Sequence, residues 1–146
     1  MSETAPQFDR SNFSTESYAR RVEKPWGYED HLVPPETPYM LKNIHVNAGA
    51  QLSLQVHDEK SESWTLVNGR AAVIWQNREG EMVTTELETG VGYTTQVGQP
   101  HRLKGITDCD IIEASTPELG TTWRLEDDYA RPHETPEQRA VERGEA

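Results

Sequence analysis

Apolar and polar residues alternate along most of the middle of this 146-residue chain. From Leu52 to His57 every second side chain is apolar, which is typical of a strand that buries one face. Comparable short runs recur at residues 44–46, 64–67, 71–75, 82–85, 92–95 and 111–112. Turn-forming residues separate these runs, and no long helical pattern or internal repeat accompanies them. Many short strands with this spacing predict an all-β sandwich or barrel.

Asn68-Gly69 is a strong turn signal between two of these runs. Both residue types accept a positive φ, which the tight turns of β-hairpins require. The sequence therefore predicts that residues 64–67 and 71–75 form a hairpin.

The two ends of the chain are more polar than its middle, which predicts a single domain with two polar tails. The predicted parts are an N-terminal arm, a barrel and an acidic C-terminal tail, at residues 1–24, 25–125 and 126–146. The arm carries Phe8, Phe13 and Tyr18 at a spacing that fits neither a helix nor a strand. The tail carries seven acids against three arginines and is expected to be mobile, although Thr135-Pro136 can begin a short helix. Because sheet edges need covering, we expect the arm to cross to a second copy in a homodimer.

The charge balance narrows the range of partners and compartments. Lys and Arg total 14 against 25 Asp and Glu, for a formal net charge of −11. That field repels polyanions, so we expect no nucleic acid and no membrane as partners. No apolar stretch approaches the roughly 20 residues of a membrane span, and the N-terminus lacks the apolar region of a signal peptide. Together with the single cysteine, Cys109, these features predict a cytoplasmic location.

One strand and two later residues carry the candidate chemistry. Gln55 and His57 are two positions apart, so they point to one face of the strand, opposite its apolar face. Glu62 begins the next strand-like run, and His101 follows a turn much later in the chain. Imidazole nitrogens with a carboxylate and an amide oxygen suit a divalent metal such as zinc, manganese or iron. From local spacing alone, the alternative is that these are scattered surface residues.

The longer spacing resembles the two motifs of the cupin superfamily. The motifs read Gly49-x5-Gln55-x-His57-x4-Glu62-x6-Gly69 and Gly90-x5-Gln96-x-Gly98-x2-His101. Two positions depart from the usual pattern, because Gln55 stands where the superfamily has His and Gln96 where it has Pro. The resemblance implies a double-stranded β-helix, the jelly-roll barrel of cupins, with a metal inside it.

Further segments resemble the C-terminal cupin domain of type II mannose-6-phosphate isomerases over about residues 22–131. They are Lys24–Glu29, Leu52–His57, Glu62–Trp64, Pro100–Leu103, Ile112-Glu113 and Arg124–Arg131. That family itself carries Gln at the position of Gln55. The resemblance therefore implies a small-molecule substrate and a divalent metal on Gln55, His57, Glu62 and His101. Zinc is the first expectation, and manganese, iron, cobalt and nickel are the alternatives.

Two glutamates are candidates for catalytic proton transfer. Glu113 lies in an apolar run, where a carboxylate is costly to bury without a partner, and we expect it to face inward with a raised pKa. The alternative for Glu113 is a solvated position on an edge strand. Glu59 shares the inward face of His57 if the strand continues that far. If the strand instead ends at His57, both Asp58 and Glu59 lie in a solvated loop.

Three functions remain open from the sequence. The resemblance favours a metal-dependent isomerase of a hexose 6-phosphate, whose phosphate needs cations; the candidates are Lys60, Arg70, Arg102, Lys104, Arg124 and Arg131. Asp58 and Glu59 stand where the family has histidines, which favours a metallocupin enzyme acting on an amine or amino acid. Its chemistry would be nitrogen–nitrogen bond formation, a lyase reaction or a dioxygenase reaction. The third function is a non-catalytic cupin that binds a small molecule, because a fold does not fix a function.

Overall fold

The computed structural model describes residues 3–145. Within them, eleven β-strands and one short α-helix form the regular structure. The strands are β1 (Arg20–Lys24), β2 (Gly27–His31), β3 (Met40–Val46), β4 (Leu54–His57), β5 (Glu62–Asn68), β6 (Ala71–Gln76), β7 (Met82–Glu86), β8 (Gly92–Thr95), β9 (His101–Gly105), β10 (Cys109–Ser115) and β11 (Thr122–Glu126), and the helix is α1 (Pro136–Glu142). No helix in the described part of the chain has the length and apolar character needed to cross a membrane.

The strands form two antiparallel sheets around a shared interior, which confirms the predicted all-β architecture. One sheet has the order β1-β2-β3-β10-β5-β8, and the other has the order β11-β4-β9-β6-β7. Successive strands such as β4 and β5 belong to different sheets, so the chain passes back and forth between the two layers. This winding places β4 between β9 and β11, two strands that follow it only much later in the chain.

Asn68 and Gly69 form a turn, but the predicted hairpin is wrong. β5 pairs with β10 and β8, whereas β6 pairs with β9 and β7, so the turn carries the chain from one sheet to the other. Gly69 has a φ of 76°, and a side chain there would collide with the backbone of Asp108 and Cys109. Local alternation could not reveal this, because a change of sheet and a hairpin use the same turn residues.

The apolar core lies between the sheets and draws on both. Ile44 and Ile111 come from one sheet and Val73 and Leu103 from the other, and each is at most 2% exposed. Burying an aliphatic side chain of this size contributes roughly 1.5–3 kcal/mol to folding. Trp64 completes the core at the centre of β5. Polar side chains occupy the rest of the interior, and the candidate site lies among them.

The sheets extend beyond the predicted barrel at the N-terminal side. β1 lies within the segment interpreted as an arm and pairs along its whole length with β2. Its residues read as polar because β1 is an edge strand with one exposed face. Residues 3–19 form no strand, and they expose the aromatic side chains of Phe8 and Phe13.

The acidic tail folds onto the barrel through α1. Pro136 begins this helix, and the Thr135 side chain caps it by accepting a hydrogen bond from the Gln138 amide. Arg139 is buried, and its guanidinium binds Glu134 Oε1 at 2.9 Å and the carbonyl of Gly120 at 3.1 Å. The acids of the tail, which was expected to be mobile, are partners for buried arginines and join the tail to the barrel.

Candidate metal centre

Strands from both sheets bring the predicted metal ligands together. Gln55 and His57 lie on β4, and His101 begins β9 directly opposite Gln55 in the pairing of these two strands. Glu62 begins β5 in the other sheet and reaches the same point across the interior. The change of sheet between β4 and β5 is what turns a four-residue separation into a contact across the barrel.

The ligand atoms of these residues converge. Glu62 Oε1 lies 2.8 Å from His101 Nε2 and 3.4 Å from His57 Nε2. His57, Glu62 and His101 are buried, and one ligand atom from each lies within 4.8 Å of the others. Gln55 completes the group, with its Nε2 3.4 Å from His101 Nε2 and its Oε1 accepting a hydrogen bond from Ser53. The cluster can hold a metal ion.

The outer nitrogens of both imidazoles have partners outside the cluster, so the inner nitrogens point towards Glu62. His101 Nδ1 lies 2.8 Å from the Gln99 carbonyl oxygen, which only accepts, so Nδ1 carries the hydrogen. His57 Nδ1 lies 2.8 Å from the hydroxyl of Thr122. The inner atom, His57 Nε2, is buried without a hydrogen-bond partner among residues 3–145. Burial lowers the pKa of His57, which favours the neutral form that binds metals.

The charge state of Glu62 also suits a metal ligand. Burial alone would raise the pKa of Glu62, but the Lys60 ammonium and the two histidines hold it well below its usual range. Lys60 Nζ lies 3.1 Å from Glu62 Oε2, which leaves Oε1 directed at the imidazoles. Imidazole nitrogens with a carboxylate oxygen are donors for zinc and equally for manganese, iron, cobalt or nickel. The residues present therefore fit a divalent metal.

Glu113 lies beside this cluster on β10 and faces inward, at 4% exposure, as predicted. Its Oε2 is 3.2 Å from Lys60 Nζ and 3.7 Å from Lys42 Nζ, and its Oε1 accepts a hydrogen bond from Trp64 at 3.4 Å. Burial and then the charge of Glu62 raise the pKa of Glu113 to about 7, although the two lysines oppose this. Glu113 can therefore give up or take a proton near neutral pH.

Glu59, the other predicted catalytic residue, lies outside the site. β4 ends at His57, and Glu59 is exposed in the bend that follows. Its neighbour Asp58 accepts hydrogen bonds from the Thr121 amide at 2.9 Å and from the Trp123 indole at 3.3 Å. The predicted inward orientation of Glu59 is wrong, because alternation no longer applies once the strand has ended.

Lys42 and Glu118 belong to the same buried network, although the sequence analysis did not single them out. Lys42 Nζ lies 2.7 Å from Glu118 Oε1 and 3.2 Å from Glu29 Oε1. The sequence could have indicated Lys42, because it lies two positions before Ile44 and four before Val46 and therefore shares the buried face of β3 with them. Glu118 lies in the loop between β10 and β11, where no period indicates which side chains turn inward.

Most of the basic side chains that were candidates for binding a phosphate already form an ion pair with an acidic side chain. The acidic partners are Glu86 for Arg70, Glu126 for Arg102, Glu142 for Arg124 and Asp127 for Arg131. Arg102 also donates a hydrogen bond to the Leu52 carbonyl, so it has a structural role. Lys60 lies inside the metal cluster, and Lys104 is exposed on β9.

A small cavity of about 50 Å³, partly open to solvent, adjoins the cluster between the two sheets. Gln55, His57 and Glu62 line one part of it, together with Glu113. Six basic side chains also line it, namely Lys24, Lys42, Lys60, Arg124, Arg131 and Arg143, and so do three further carboxylates, those of Glu29, Glu118 and Glu134. The cavity thus combines a candidate metal cluster, a proton-transfer group and a network of paired charges.

Comparison with known proteins identifies the family. Residues 11–132 match the family described as mannose-6-phosphate isomerase C-terminal. The chain belongs to this family. Relatives of this cupin include the xanthan biosynthesis protein XanB of Xanthomonas campestris pv. campestris, 33% identical over 136 residues, and the alginate biosynthesis protein AlgA of Pseudomonas fluorescens, 33% identical over 138 residues. These alignments cover 90% and 91% of this chain but 28% and 27% of the relatives, so the chain spans less than a third of their length.

Solved structures confirm the cupin fold. A deletion mutant of Bacillus subtilis oxalate decarboxylase OxdC has a TM-score of 0.67 at 18% identity, covering 97% of this chain and 40% of its own. The capsular polysaccharide assembling protein CapF of Staphylococcus aureus has a TM-score of 0.63 at 16% identity, covering 75% of this chain and 34% of its own. At these identities the likeness concerns the fold alone, and that fold is the predicted double-stranded β-helix.

Proposed function

We propose that this cupin is a metal-dependent aldose–ketose isomerase of a hexose 6-phosphate, with mannose 6-phosphate and fructose 6-phosphate as the pair to test. One observation carries the proposal. The Lys60 ammonium contacts both Glu113 and Glu62, so Glu113 lies beside the cluster of His57, Glu62 and His101. The family match supports a sugar phosphate as the substrate. The names of XanB and AlgA, which refer to polysaccharide biosynthesis, support a sugar-related role.

The proposed metal ligands are Gln55, His57, Glu62 and His101. Gln55 would join the set with its amide oxygen inward, which a half-turn of the amide group achieves. When bound, a divalent metal supplies Lewis-acid polarisation of a sugar oxygen. Zinc is the first candidate for this donor set, and manganese, iron, cobalt and nickel remain alternatives.

The proposed role of Glu113 is to move the proton. Aldose–ketose isomerisation transfers a proton between two neighbouring carbons of the sugar, so one group must remove it and return it. A pKa of about 7 lets Glu113 do both at neutral pH. Lys60 is a positioning residue, because it contacts Glu113 at 3.2 Å and Glu62 at 3.1 Å and offsets the charge of both.

The structure gives less support to an amine-bearing substrate. That hypothesis depended on an acidic cavity mouth formed by Asp58 and Glu59. Asp58 is occupied by two donors from the β11 region, and Glu59 is exposed away from the cavity. In the cavity lining, most carboxylates pair with a basic side chain, whereas the Lys24 ammonium has no carboxylate within hydrogen-bond distance, which suits an anionic substrate better than an ammonium.

Elemental analysis combined with an isomerisation assay tests the proposal. We expect about one metal ion per chain and conversion of mannose 6-phosphate to fructose 6-phosphate. His57→Ala and His101→Ala should lose the metal and the activity while remaining folded, because neither imidazole belongs to the apolar core cluster. Full metal content in both variants would contradict the site. Iron with oxygen uptake would favour oxygenase chemistry, and a metal-free protein in every preparation would favour a binding cupin.

We also propose that the protein is a cytoplasmic homodimer. Phe8 and Phe13 are 72% and 68% exposed in the N-terminal segment, which is a large apolar exposure for a single chain. The second copy would bury these side chains. Light scattering should give twice the chain mass of 16.6 kDa at micromolar concentration. A mass of one chain would contradict the dimer.

A further inference from the structure

We infer that Lys24 is the residue that binds the anionic group of the substrate, a phosphate monoester. The inference rests on the proposed function for the identity of the substrate. It goes further in assigning the phosphate to a residue that the sequence analysis did not consider among the candidate cations.

Lys24 differs from the other basic residues of the cavity in having no carboxylate within hydrogen-bond distance of its charged group. It is the last residue of β1, it lines the cavity, and its side chain is only 6% exposed. Its closest acidic partner is Glu142, with Nζ and Oε1 4.0 Å apart, which exceeds hydrogen-bond distance. Lys42 and Lys60, by contrast, lie 2.7 Å and 3.1 Å from carboxylate oxygens.

Glu142 is not free to satisfy Lys24. Its carboxylate already accepts two hydrogen bonds of 2.8 Å from Arg124 and one of 3.0 Å from Gln138. These contacts fix the carboxylate of Glu142, the last residue of α1, at 4.0 Å from Lys24 Nζ. Lys24 therefore presents an ammonium with no hydrogen-bonded acceptor among the side chains of residues 3–145.

An ammonium that reaches the cavity without a hydrogen-bonded side chain can take its acceptors from water or from a ligand. An ammonium has three donors, and the oxygens of a phosphate monoester can fill them with charge-assisted hydrogen bonds. The cavity places this ammonium together with the candidate metal cluster and Glu113 in one enclosed space. A sugar phosphate could then be held at its phosphate by Lys24 while its reacting carbons lie at Glu113.

The test compares Lys24→Gln with wild-type protein, and Lys104→Gln is the matched control because Lys104 is exposed on β9. Lys24→Gln should raise the KM for mannose 6-phosphate by about 10–100-fold and weaken the binding of inorganic phosphate, measured by calorimetry, by a similar factor. Metal content and the thermal midpoint should stay unchanged. Lys24→Arg keeps the charge and the donors and should restore the KM to within about fivefold.

The two readouts separate this inference from the proposed function. Phosphate binding that weakens in Lys24→Gln, in a protein that does not isomerise hexose phosphates, would contradict the isomerase and support the anion site. Isomerisation with an unchanged KM in Lys24→Gln would overturn the anion site and leave the isomerase standing. Absence of phosphate binding to the wild-type protein would also overturn the anion site. If Lys24→Gln does not fold, wild-type affinity in a folded Lys24→Met variant would overturn it equally.

Discussion

Thr122 and His57 face each other across β11 and β4, with Oγ1 of Thr122 2.8 Å from Nδ1 of His57. This contact orients the imidazole so that Nε2 lies 3.4 Å from Glu62 Oε1. When the hydroxyl accepts the Nδ1 hydrogen, Nε2 keeps the lone pair that a metal needs. The geometry of the candidate ligand therefore depends on a hydroxyl 65 positions later in the chain.

Thr122→Val should lower the affinity for zinc by about 10–100-fold, because it removes the partner of the outer nitrogen while keeping the shape of the side chain. Competition against a chromogenic chelator measures the affinity. Thr65→Val is the matched control, since the Thr65 hydroxyl has no hydrogen-bond partner in residues 3–145 and its loss should leave zinc binding unchanged. Equal affinities in the two variants would show that Thr122 does not orient the ligand.

Glu113→Gln should lower kcat for hexose 6-phosphate isomerisation by about 100-fold or more, because the amide cannot exchange the proton. Glu59→Gln, in the exposed bend after β4, should change kcat by less than about twofold. Steady-state kinetics on proteins of equal metal content give both values. If kcat falls as much in Glu59→Gln as in Glu113→Gln, Glu59 rather than Glu113 alone would have to take part in catalysis.

The ion pair between Arg124 and Glu142 makes stability depend on acid pH. Burial alone would raise the pKa of Glu142, but the hydrogen bonds from Arg124 and Gln138 lower it to about 2 from its usual 4.5. A folded pKa below the unfolded one means that the contribution is complete above about pH 4.5 and is lost as the pH falls toward 2. Because solvent screens a partly exposed pair, we expect a contribution of about 1 kcal/mol.

Urea unfolding at pH 7 and near pH 2.5 checks this expectation. Glu142→Gln should lower the free energy of unfolding at pH 7 by about 1 kcal/mol and change it less near pH 2.5. Glu79→Gln, in an exposed turn between β6 and β7, is the control and should have little effect at either pH. A loss in Glu142→Gln that is independent of pH would show that the pair stabilises by packing rather than by charge.

Ala130 is strained in its present conformation. With a φ of 54°, it is the one non-glycine residue with positive φ in the described chain. Ala130→Gly should raise the free energy of unfolding by about 0.5–1 kcal/mol, since the relieved strain exceeds the added freedom of the unfolded chain. Ala140→Gly within α1 should have the opposite sign, with a loss of about 1 kcal/mol. Denaturant titration of both variants compares them, and destabilisation by Ala130→Gly would contradict the strain.

The parts of the site that sequence could predict are those with a local period or a long motif. Gln55 and His57 share a face because they are two apart on one strand, and the motif spacing added Glu62 and His101. Glu113 was predicted to face inward because it interrupts an apolar run, and its burial confirms this. In each case, neighbours along the chain carry the information.

Features that depend on pairing between distant segments could not be predicted in this way. Asn68-Gly69 has the residues of a hairpin turn, yet the chain changes sheets there because β5 and β6 find partners elsewhere. Thr122 reaches His57 only through the pairing of β11 with β4. Lys24 shares the inward face of Val22 on β1, but the polar sequence of this edge strand was interpreted as an arm, and Glu118 lies in a loop without alternation.

Most of the buried charges inside the barrel are stabilised by an oppositely charged partner, so the effect of replacing one of them depends on the others. Removing Glu118 alone would take the 2.7 Å partner from Lys42, which keeps Glu29 at 3.2 Å, and would leave the network with one positive charge in excess. Replacing Lys42 and Glu118 together removes both charges of that pair, but it also takes one partner from Glu29 and one from Arg143. A redesign of this cavity for another substrate therefore has to proceed by exchanging charged partners together, even at positions that never touch the substrate.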